Sequence, residues 1–167
     1  MIPQTLFNTN LFVAGVSFAG DVPTLTLPQL QLATDDYRAG GMDGTIDMDM
    51  GLQKMEASFT TNGVRAESLS LFGLADGNGF SGTFRGSFKG QGGVTTAVVA
   101  TIRGTLKTID PGDWSAGTKA EIKHTVGVTY YKLQVGGTVI YEIDPVNAIR
   151  IINGTDQLAS MRSDLGL

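Results

Sequence analysis

The chain has 167 residues, the size of a single domain spanning residues 1–167, and it carries a formal net charge of −4. It contains no cysteine and one histidine, which excludes disulfide frameworks, thiolate metal sites and multi-histidine metal sites, and its acidic balance argues against a nucleic-acid-binding protein. Only 17% of the residues are charged, against about 25% in an ordinary soluble domain, so we expect partners to cover much of the surface.

The first third of the chain is predicted to be extended. Leu25 and Leu27 share one phase of an alternating pattern, Leu30 and Leu32 share the other, and Pro28 stands at the switch, which is typical of a bulge or an edge strand.

Two alternating segments follow, at residues 46–50 and 55–60. In the first, Ile46, Met48 and Met50 alternate with Asp47 and Asp49. In the second, Met55, Ala57 and Phe59 alternate with Glu56, Ser58 and Thr60. This period of two predicts a long extended hairpin with an acidic outer face.

Two helices are predicted. The first begins after Asn62, turns Leu69 and Phe72 toward the core and ends at Gly73; the second runs from about Asp156, with Leu158, Met161 and Leu165 at helical spacing. Neither is long enough to dominate the fold.

Three long strands are predicted in the second half. The first carries Phe80, Phe84 and Phe88 on one face, and a turn at residues 90–93 leads to the second. That strand has Val98, Ala100, Ile102 and Leu106 on its apolar face. The third alternates from Ile122 through His124, Val126 and Val128 to Tyr130 and continues to Val135, where Gly136 and Gly137 form a two-residue hairpin turn. The fold class is α+β, mainly β, with a barrel or sandwich, one packed helix and a long hairpin.

No residue pattern indicates an enzyme or a cofactor site. The glycine motif at residues 77–82 precedes a strand rather than a helix, so we interpret it as a turn and not as a dinucleotide site. His124 lies on an apolar face and is predicted to be a packed core or interface histidine. The segment 110–114 is interpreted as a turn whose Trp114 covers an edge of the core.

Charge is divided unevenly along the chain. Residues 1–83 hold three lysines and arginines against nine acids, a net of −6, and residues 84–167 hold nine against seven, a net of +2. Such a division favours a subunit whose one surface meets the opposite surface of a neighbour.

Several sequence strings resemble those of the major tail tube proteins of contractile-tailed bacteriophages, and R-type bacteriocins use a similar tube protein. They include residues 37–43 (YRAGGMD), 84–91 (FRGSFKGQ), 110–114 (DPGDW) and 141–147 (YEIDPVN), and they follow in the family's order over nearly the whole chain. The resemblance implies hexameric rings that stack helically into a hollow tube inside a contractile sheath. The subunit would be a structural protein of the virion that is made in the host cytoplasm. Sheath contraction would drive the tube through the bacterial envelope. No subunit would insert into a membrane.

The resemblance also implies partners: further copies of the chain, the sheath, a tape-measure protein, baseplate and terminator proteins, and DNA that passes through the lumen without specific binding. Because an acidic wall repels phosphates, Asp47, Asp49 and Glu56 are candidates for lining the lumen. Alternatively, these acids pair with a neighbouring subunit. The candidate contacts between subunits or rings are Tyr37, Arg38, Gly40, Gly41, Met42, Asp43, Arg85, Lys89, Arg103 and Lys107, with residues 37–43 as the hinge of the hairpin.

Two other functions stay open. The tube of a headless R-type bacteriocin would depolarise the target membrane rather than deliver DNA. Outside this class, a monomeric β-barrel could carry a small ligand in an apolar pocket.

Overall fold

The computed structural model describes residues 2–74 and 79–167, and it confirms a mainly β fold with two short helices. The strands are β1 (Thr5–Val13), β2 (Val16–Ser17), β3 (Thr24–Thr26), β4 (Leu32–Tyr37), β5 (Ile46–Leu52), β6 (Met55–Thr61), β7 (Phe80–Lys89), β8 (Thr95–Asp110), β9 (Ile122–Val135), β10 (Thr138–Asp144), β11 (Ile149–Ile152) and β12 (Thr155–Asp156). The helices are α1 (Ala66–Leu69) and α2 (Ala159–Leu165). Within the described ranges, no helix has the length and apolar character that crossing a lipid bilayer requires.

Ten strands form one antiparallel sheet, which together with its core we term the body. The order runs β12, β11, β10, β9, β8, β7, β1, β2, and β6 joins β9 to β3. The long strand β9 pairs with β6 through its first half, from Ile122 to Val128, and with β10 through its second half. This change of partner lets the sheet wrap around one apolar core.

The core lies on the concave side of this sheet. Phe59 is central: its ring stacks on Phe80 at 5.8 Å and on His124 at 4.4 Å between ring centroids. Other fully enclosed side chains include Leu11 and Val13 of β1, Phe18 after β2, Phe84 of β7, Ala100, Ile102 and Leu106 of β8, Val126 of β9 and Ile143 of β10. The apolar phases predicted for β7 and β8, and for β9 as far as Val128, are therefore confirmed.

The sheet bends at a bulge between the paired strands β8 and β9, where the two backbones approach each other closely. The register slips between Arg103 and Gly104, because Arg103 faces Tyr130 whereas Gly104 faces Val128. A Cβ on Gly104 would lie 2.0 Å from the carbonyl oxygen of Gly127, so only glycine fits there. The extra residue reverses the phase of β9: Tyr131 is buried and Tyr130 is half-buried, opposite to the prediction.

His124 is a core histidine, as predicted. Its Nε2 lies 3.2 Å from Ser68 Oγ, and that hydroxyl donates to the carbonyl of Arg65 at 3.1 Å. With its own proton directed to Arg65 O, the hydroxyl can accept a hydrogen bond from Nε2–H, and Nδ1 is buried without a hydrogen-bond partner among the described residues. Burial lowers the pKa of His124 below its ordinary value of 6.5.

Several local predictions are confirmed. Gly136 and Gly137 form the predicted turn with φ angles of 58° and 84°. The turn at residues 90–93 closes through a hydrogen bond from Gly90 N–H to Val94 O. The second half of the glycine motif enters β7, as predicted, while Gly77 and Asn78 lie outside the described residues.

Other local predictions are wrong. The segment 46–52 pairs with β4 rather than with β6, so the hairpin consists of β4 and β5. Phe72, predicted to face the core, is 55% exposed. The helix α1 ends at Leu69, before Phe72, and Ser68 is its buried residue. Trp114 is 75% exposed and covers no core edge. The second helix begins at Ala159 and not near Asp156, which belongs to β12, and no residue of α2 is buried.

Candidate assembly surfaces

The hairpin of β4 and β5, which we term the arm, is a two-stranded sheet separate from the sheet of the body. In its register Asp36 lies opposite Asp47, and Tyr37 lies opposite Ile46. Directly opposed residues of an antiparallel pair share a face. The arm therefore has two chemically different faces.

One face of the arm is acidic and the other is mainly apolar. The acidic face carries Asp36, Asp47 and Asp49; the apolar face carries Tyr37, Ile46 and Met48, with Asp35 beside them. All of these side chains are exposed, and Ile46 is 53% exposed. Because an isolated two-stranded hairpin is marginal in water, a further surface is needed to cover the apolar face.

Two carboxylates oppose each other across the arm. Asp36 and Asp47 are directly cross-strand, an arrangement that destabilises a hairpin when both are charged. Neither forms an ion pair within the described parts of the chain. A cationic surface placed against this face would relieve their repulsion.

One ion pair joins the arm to the body. Arg150 on β11 donates from Nη2 to Asp49 Oδ2 at 2.8 Å, and the arginine side chain is only 16% exposed. This hydrogen bond holds the pKa of Asp49 below its ordinary range. A cleft of about 410 Å³ lies beside the pair, lined in part by Met50, Leu158 and Met161. The base of the arm thus rests against β11 and α2.

The residues predicted as a hinge form the tip of the arm instead. Tyr37 is the last residue of β4, and residues 38–45 connect it to β5. Met42 N–H donates to Ala39 O at 3.2 Å, and Gly41 has a φ of 88°, in the left-handed region. Arg38, Gly40 and Asp43 are exposed on this tip, where they are available to a neighbour.

Glu56 lies apart from the two aspartates with which it was grouped. It sits on β6, opposite Gly127 of β9, and it pairs with Lys107 and, at 3.2 Å, with Lys54. The hydrogen bond from Lys107 is the main reason that the pKa of Glu56 is lowered. Its charge is thus largely balanced within the chain.

The four predicted cationic contacts share one surface, the face of the sheet that points away from the core. Arg85 and Lys89 on β7 and Arg103 and Lys107 on β8 alternate with core residues. Arg85 lies over Phe12 at 5.6 Å, Lys89 over Phe7 at 5.4 Å and Arg103 over Tyr130 at 4.0 Å from the ring centroids. Among the described residues, no carboxylate lies within ion-pair distance of the first three. We term this surface the basic face.

The sheet of the body ends in open edges. Strand β2 pairs only with Phe12 and Val13, so residues 5–10 of β1 have no strand on their outer side within the described chain. At the other end lies the two-residue strand β12. An open edge offers unpaired backbone groups to another strand.

Two residues that matter here were not predicted from the sequence. Arg150 stands within the apolar run 149–152, and a cation in such a run was a usable signal for a specific partner. Trp114 was assigned to the core because tryptophan is usually buried; the four polar or small residues after it were the contrary signal.

Comparison with known proteins gives consistent matches over the whole chain. The family model described as phage tail tube protein FII matches residues 3–166. The tail tube protein of Escherichia phage P2 is 32% identical over 99% of this chain and 99% of its own length. The major tail tube protein of Serratia phage KSP20 is 33% identical over 89% and 86%.

Solved structures share the fold at low sequence identity. The sheath/tube terminator of an extracellular contractile injection system superposes with a TM-score of 0.62 at 11% identity, covering 80% of this chain and 98% of that one. A chain of the sheath-tube complex from such a system gives 0.58 at 10% identity, covering 79% and 91%.

Proposed function

The chain belongs to the phage tail tube protein FII family, and on this premise we propose that its copies form hexameric rings that stack helically into the inner tube of a contractile tail. Residues 1–167 would act as one structural, non-catalytic subunit of the virion. The observation that carries the proposal is the arm: a separate hairpin with an uncovered apolar face and uncompensated carboxylates needs a second molecule.

The function of the tube is mechanical. Contraction of the surrounding sheath drives the tube through the bacterial envelope, after which DNA passes through its lumen without specific binding. The partners are the sheath, a tape-measure protein in the lumen before contraction, and baseplate and terminator proteins at the ends. Subunits are made and assembled in the host cytoplasm, and no subunit inserts into a membrane.

Within the tube, we assign the arm to a contact between copies. Its acidic face complements the basic face of a neighbour, where Arg85, Lys89 and Arg103 have no carboxylate partner among the described residues. The open edge of β1 offers a second contact, since shared edges close a sheet into a ring.

Asp47 and Asp49 remain candidates for the lumen as well as for this interface. An acidic lumen repels DNA and lets it slide, whereas a contact between copies would neutralise the same carboxylates. The unrelieved repulsion between Asp36 and Asp47 supports the interface. Glu56, already balanced by Lys107, would add little repulsion to a lumen wall.

The test is negative-stain electron microscopy of the purified protein at several concentrations, with sedimentation of the same samples. Stacked six-fold rings or open tubes are expected above a critical concentration. A monodisperse monomer at every concentration, with or without purified baseplate as a template, would contradict the proposal.

A double charge reversal then separates the two locations of the acids. If Asp36→Lys with Asp47→Lys stops assembly, and Arg85→Glu with Arg103→Glu restores it, the acids lie at the interface. If tubes of ordinary appearance form but now retain DNA, the acids line the lumen. The double reversal Glu67→Lys with Asp164→Lys, at exposed positions outside both surfaces, makes the same change of net charge and is the control.

The origin of the sequence relatives supports a phage tail rather than a bacteriocin. Both named relatives are tail tube proteins of phages.

The cleft of about 470 Å³ beside β6 is lined mainly by polar side chains, including Gln29, Gln53, Lys54 and Glu56, which does not favour a carrier of apolar ligands.

A further inference from the structure

The loop between β8 and β9, residues 111–121, carries the chain's single tryptophan, which is 75% exposed and hydrogen-bonded within the loop. Trp114 Nε1–H donates to Pro111 O at 3.2 Å, and Gly112 N–H donates to Asp110 Oδ1 at 3.0 Å. Farther along, Thr118 Oγ1 donates to Ser115 O at 2.7 Å. The indole's one donor is therefore already satisfied, and its exposed surface is apolar.

An indole held in this way is suited to anchoring a protein contact. Tryptophan is among the residues most enriched at the energetic centres of interfaces, and a fixed side chain loses little further conformational entropy on binding. A hollow of about 290 Å³, lined by residues of the same loop, lies beside the ring and can receive a partner's side chain. The loop thus offers a partner both a projecting indole ring and a hollow beside it.

More apolar surface lies near this end of the strands. Phe72 forms a bridge to Leu106, four residues before β8 ends at Asp110, and Gly73 N–H donates to Leu106 O at 3.0 Å. The Phe72 side chain is exposed and belongs to no core cluster. A partner that covers Trp114 can therefore also reach the surface around Phe72.

The two ends of β8 and β9 carry opposite charge. The loop end, residues 110–123, has Asp110, Asp113 and Glu121 against Lys119 and Lys123, a net of −1. The turn end comprises residues 2–9, 86–99 and 132–140; it has Lys89 and Lys132 and no acid, a net of +2. Its turn at residues 90–94 also exposes Val94.

We propose that the Trp114 loop of one copy packs on the turn end of the next copy along the tube. This rests on the proposed function, since it requires copies that assemble. The opposite charges of the two ends favour a second copy over another protein, and a patch that complements a different surface of the same molecule makes an open, extending contact.

The single tryptophan makes the contact directly measurable. Emission of the wild-type protein is recorded across the critical concentration, with acrylamide quenching, and assembly is followed in parallel by sedimentation and microscopy. We expect the emission to move to shorter wavelength and the quenching to fall as tubes form, because Trp114 passes from water into an apolar contact.

Variants test the energetic role. Trp114→Ala should raise the critical concentration at least about tenfold, as expected for a contact at the centre of an interface, and Trp114→Phe should recover part of the loss. Val146→Ala, at an equally exposed position on the turn between β10 and β11, should leave it unchanged. Circular dichroism and thermal unfolding verify that each subunit is folded.

The outcomes separate this inference from the proposed function. If tubes form with unchanged emission and quenching, the Trp114 contact is wrong but the proposed function as a tube subunit stands. Trp114 would then face another partner, such as the sheath. Normal assembly of Trp114→Ala would overturn the inference equally. No assembly of the wild-type protein under any condition would overturn both.

Discussion

The body encloses its apolar side chains within one copy, whereas the arm leaves its apolar face exposed. In the body, Phe59, Phe80 and Phe84 meet in one enclosed core, and the only histidine is packed among them. In the arm, Tyr37 and Ile46 share a face that this chain leaves uncovered. The apolar core of the body is therefore complete within one copy, whereas the apolar face of the arm is left without a cover.

This difference indicates where stability and assembly reside. Substitutions in the core of the body should change the free energy of unfolding of the subunit, and substitutions in the arm should change association while the subunit remains folded. The predictions below test this separation, beginning with the largest effect.

The largest effect is expected at the bend of the body. In Gly104→Ala the new Cβ would meet the carbonyl oxygen of Gly127 at 2.0 Å, and backbone on both strands would have to move. We expect destabilisation of more than about 3 kcal/mol, or no folded protein, measured by urea unfolding.

Gly127→Ala is the matched control for that substitution. Its Cβ would have its closest contact at 3.8 Å, an ordinary van der Waals distance, on the strand facing Gly104. We expect a folded subunit with a small change in stability. Equal effects of the two substitutions would mean that the close approach does not hold the bend.

A pair of aromatic truncations compares the two regions directly. Phe59→Ala should cost about 3–5 kcal/mol of unfolding free energy because it opens a cavity in the core. Tyr37→Ala on the arm should change that free energy by less than about 0.5 kcal/mol. The arm variant should instead assemble poorly when both are compared by sedimentation. Assembly of Tyr37→Ala at the wild-type concentration would remove the arm from the interface.

The strands of the body could be predicted because each buries a single face. Phe80, Phe84, Ala100 and Ile102 alternate with polar residues, and the period of two directly assigns the inward phase. The failure at Tyr130 and Tyr131 has a physical cause: the extra residue at the bend depends on the approach of Gly104 to Gly127. The alternation of apolar and polar residues within β9 gives no information about that contact with β8.

The arm was harder to predict because strand pairing is not local. Residues 46–52 and 55–61 are adjacent and both alternate, so a hairpin between them was expected. Only two residues, Gln53 and Lys54, separate β5 from β6, yet β5 turns back to β4 and β6 enters the body. The candidate charged residues were identified from the sequence, but their division between the arm and the basic face required the tertiary structure.

Between about pH 7.5 and about pH 5.5, a pH dependence of stability should arise from His124 in the body. Burial lowers the pKa of His124 below 6.5 in the folded state, so below pH 6.5 the unfolded chain binds the proton more strongly. This contribution to stability is fully present above pH 6.5 and is lost as the pH falls from there toward the folded pKa.

Urea unfolding of the subunit from about pH 7.5 to about pH 5.5 measures this contribution. His124→Gln keeps a donor for Ser68 Oγ and does not titrate, so its stability should fall less steeply over this range. Parallel slopes for the two proteins would assign the dependence to other groups.

The smallest effect on stability, and the most selective one, is expected at the ion pair between the two regions. Arg150→Met keeps the apolar stem of the half-enclosed side chain but removes the hydrogen bond to Asp49. The amides of β4 and β5 should then exchange with solvent faster, while those of β7, β8 and β9 keep their protection. Arg65→Met, which removes the ion pair with Asp21 inside the body, is the control and should leave exchange in the arm unchanged. Unchanged exchange in Arg150→Met would mean that Met50 and its apolar neighbours hold the arm without the ion pair. Faster exchange throughout the body would mean that the arm contributes to the stability of the core, and the separation between the two regions would then be wrong.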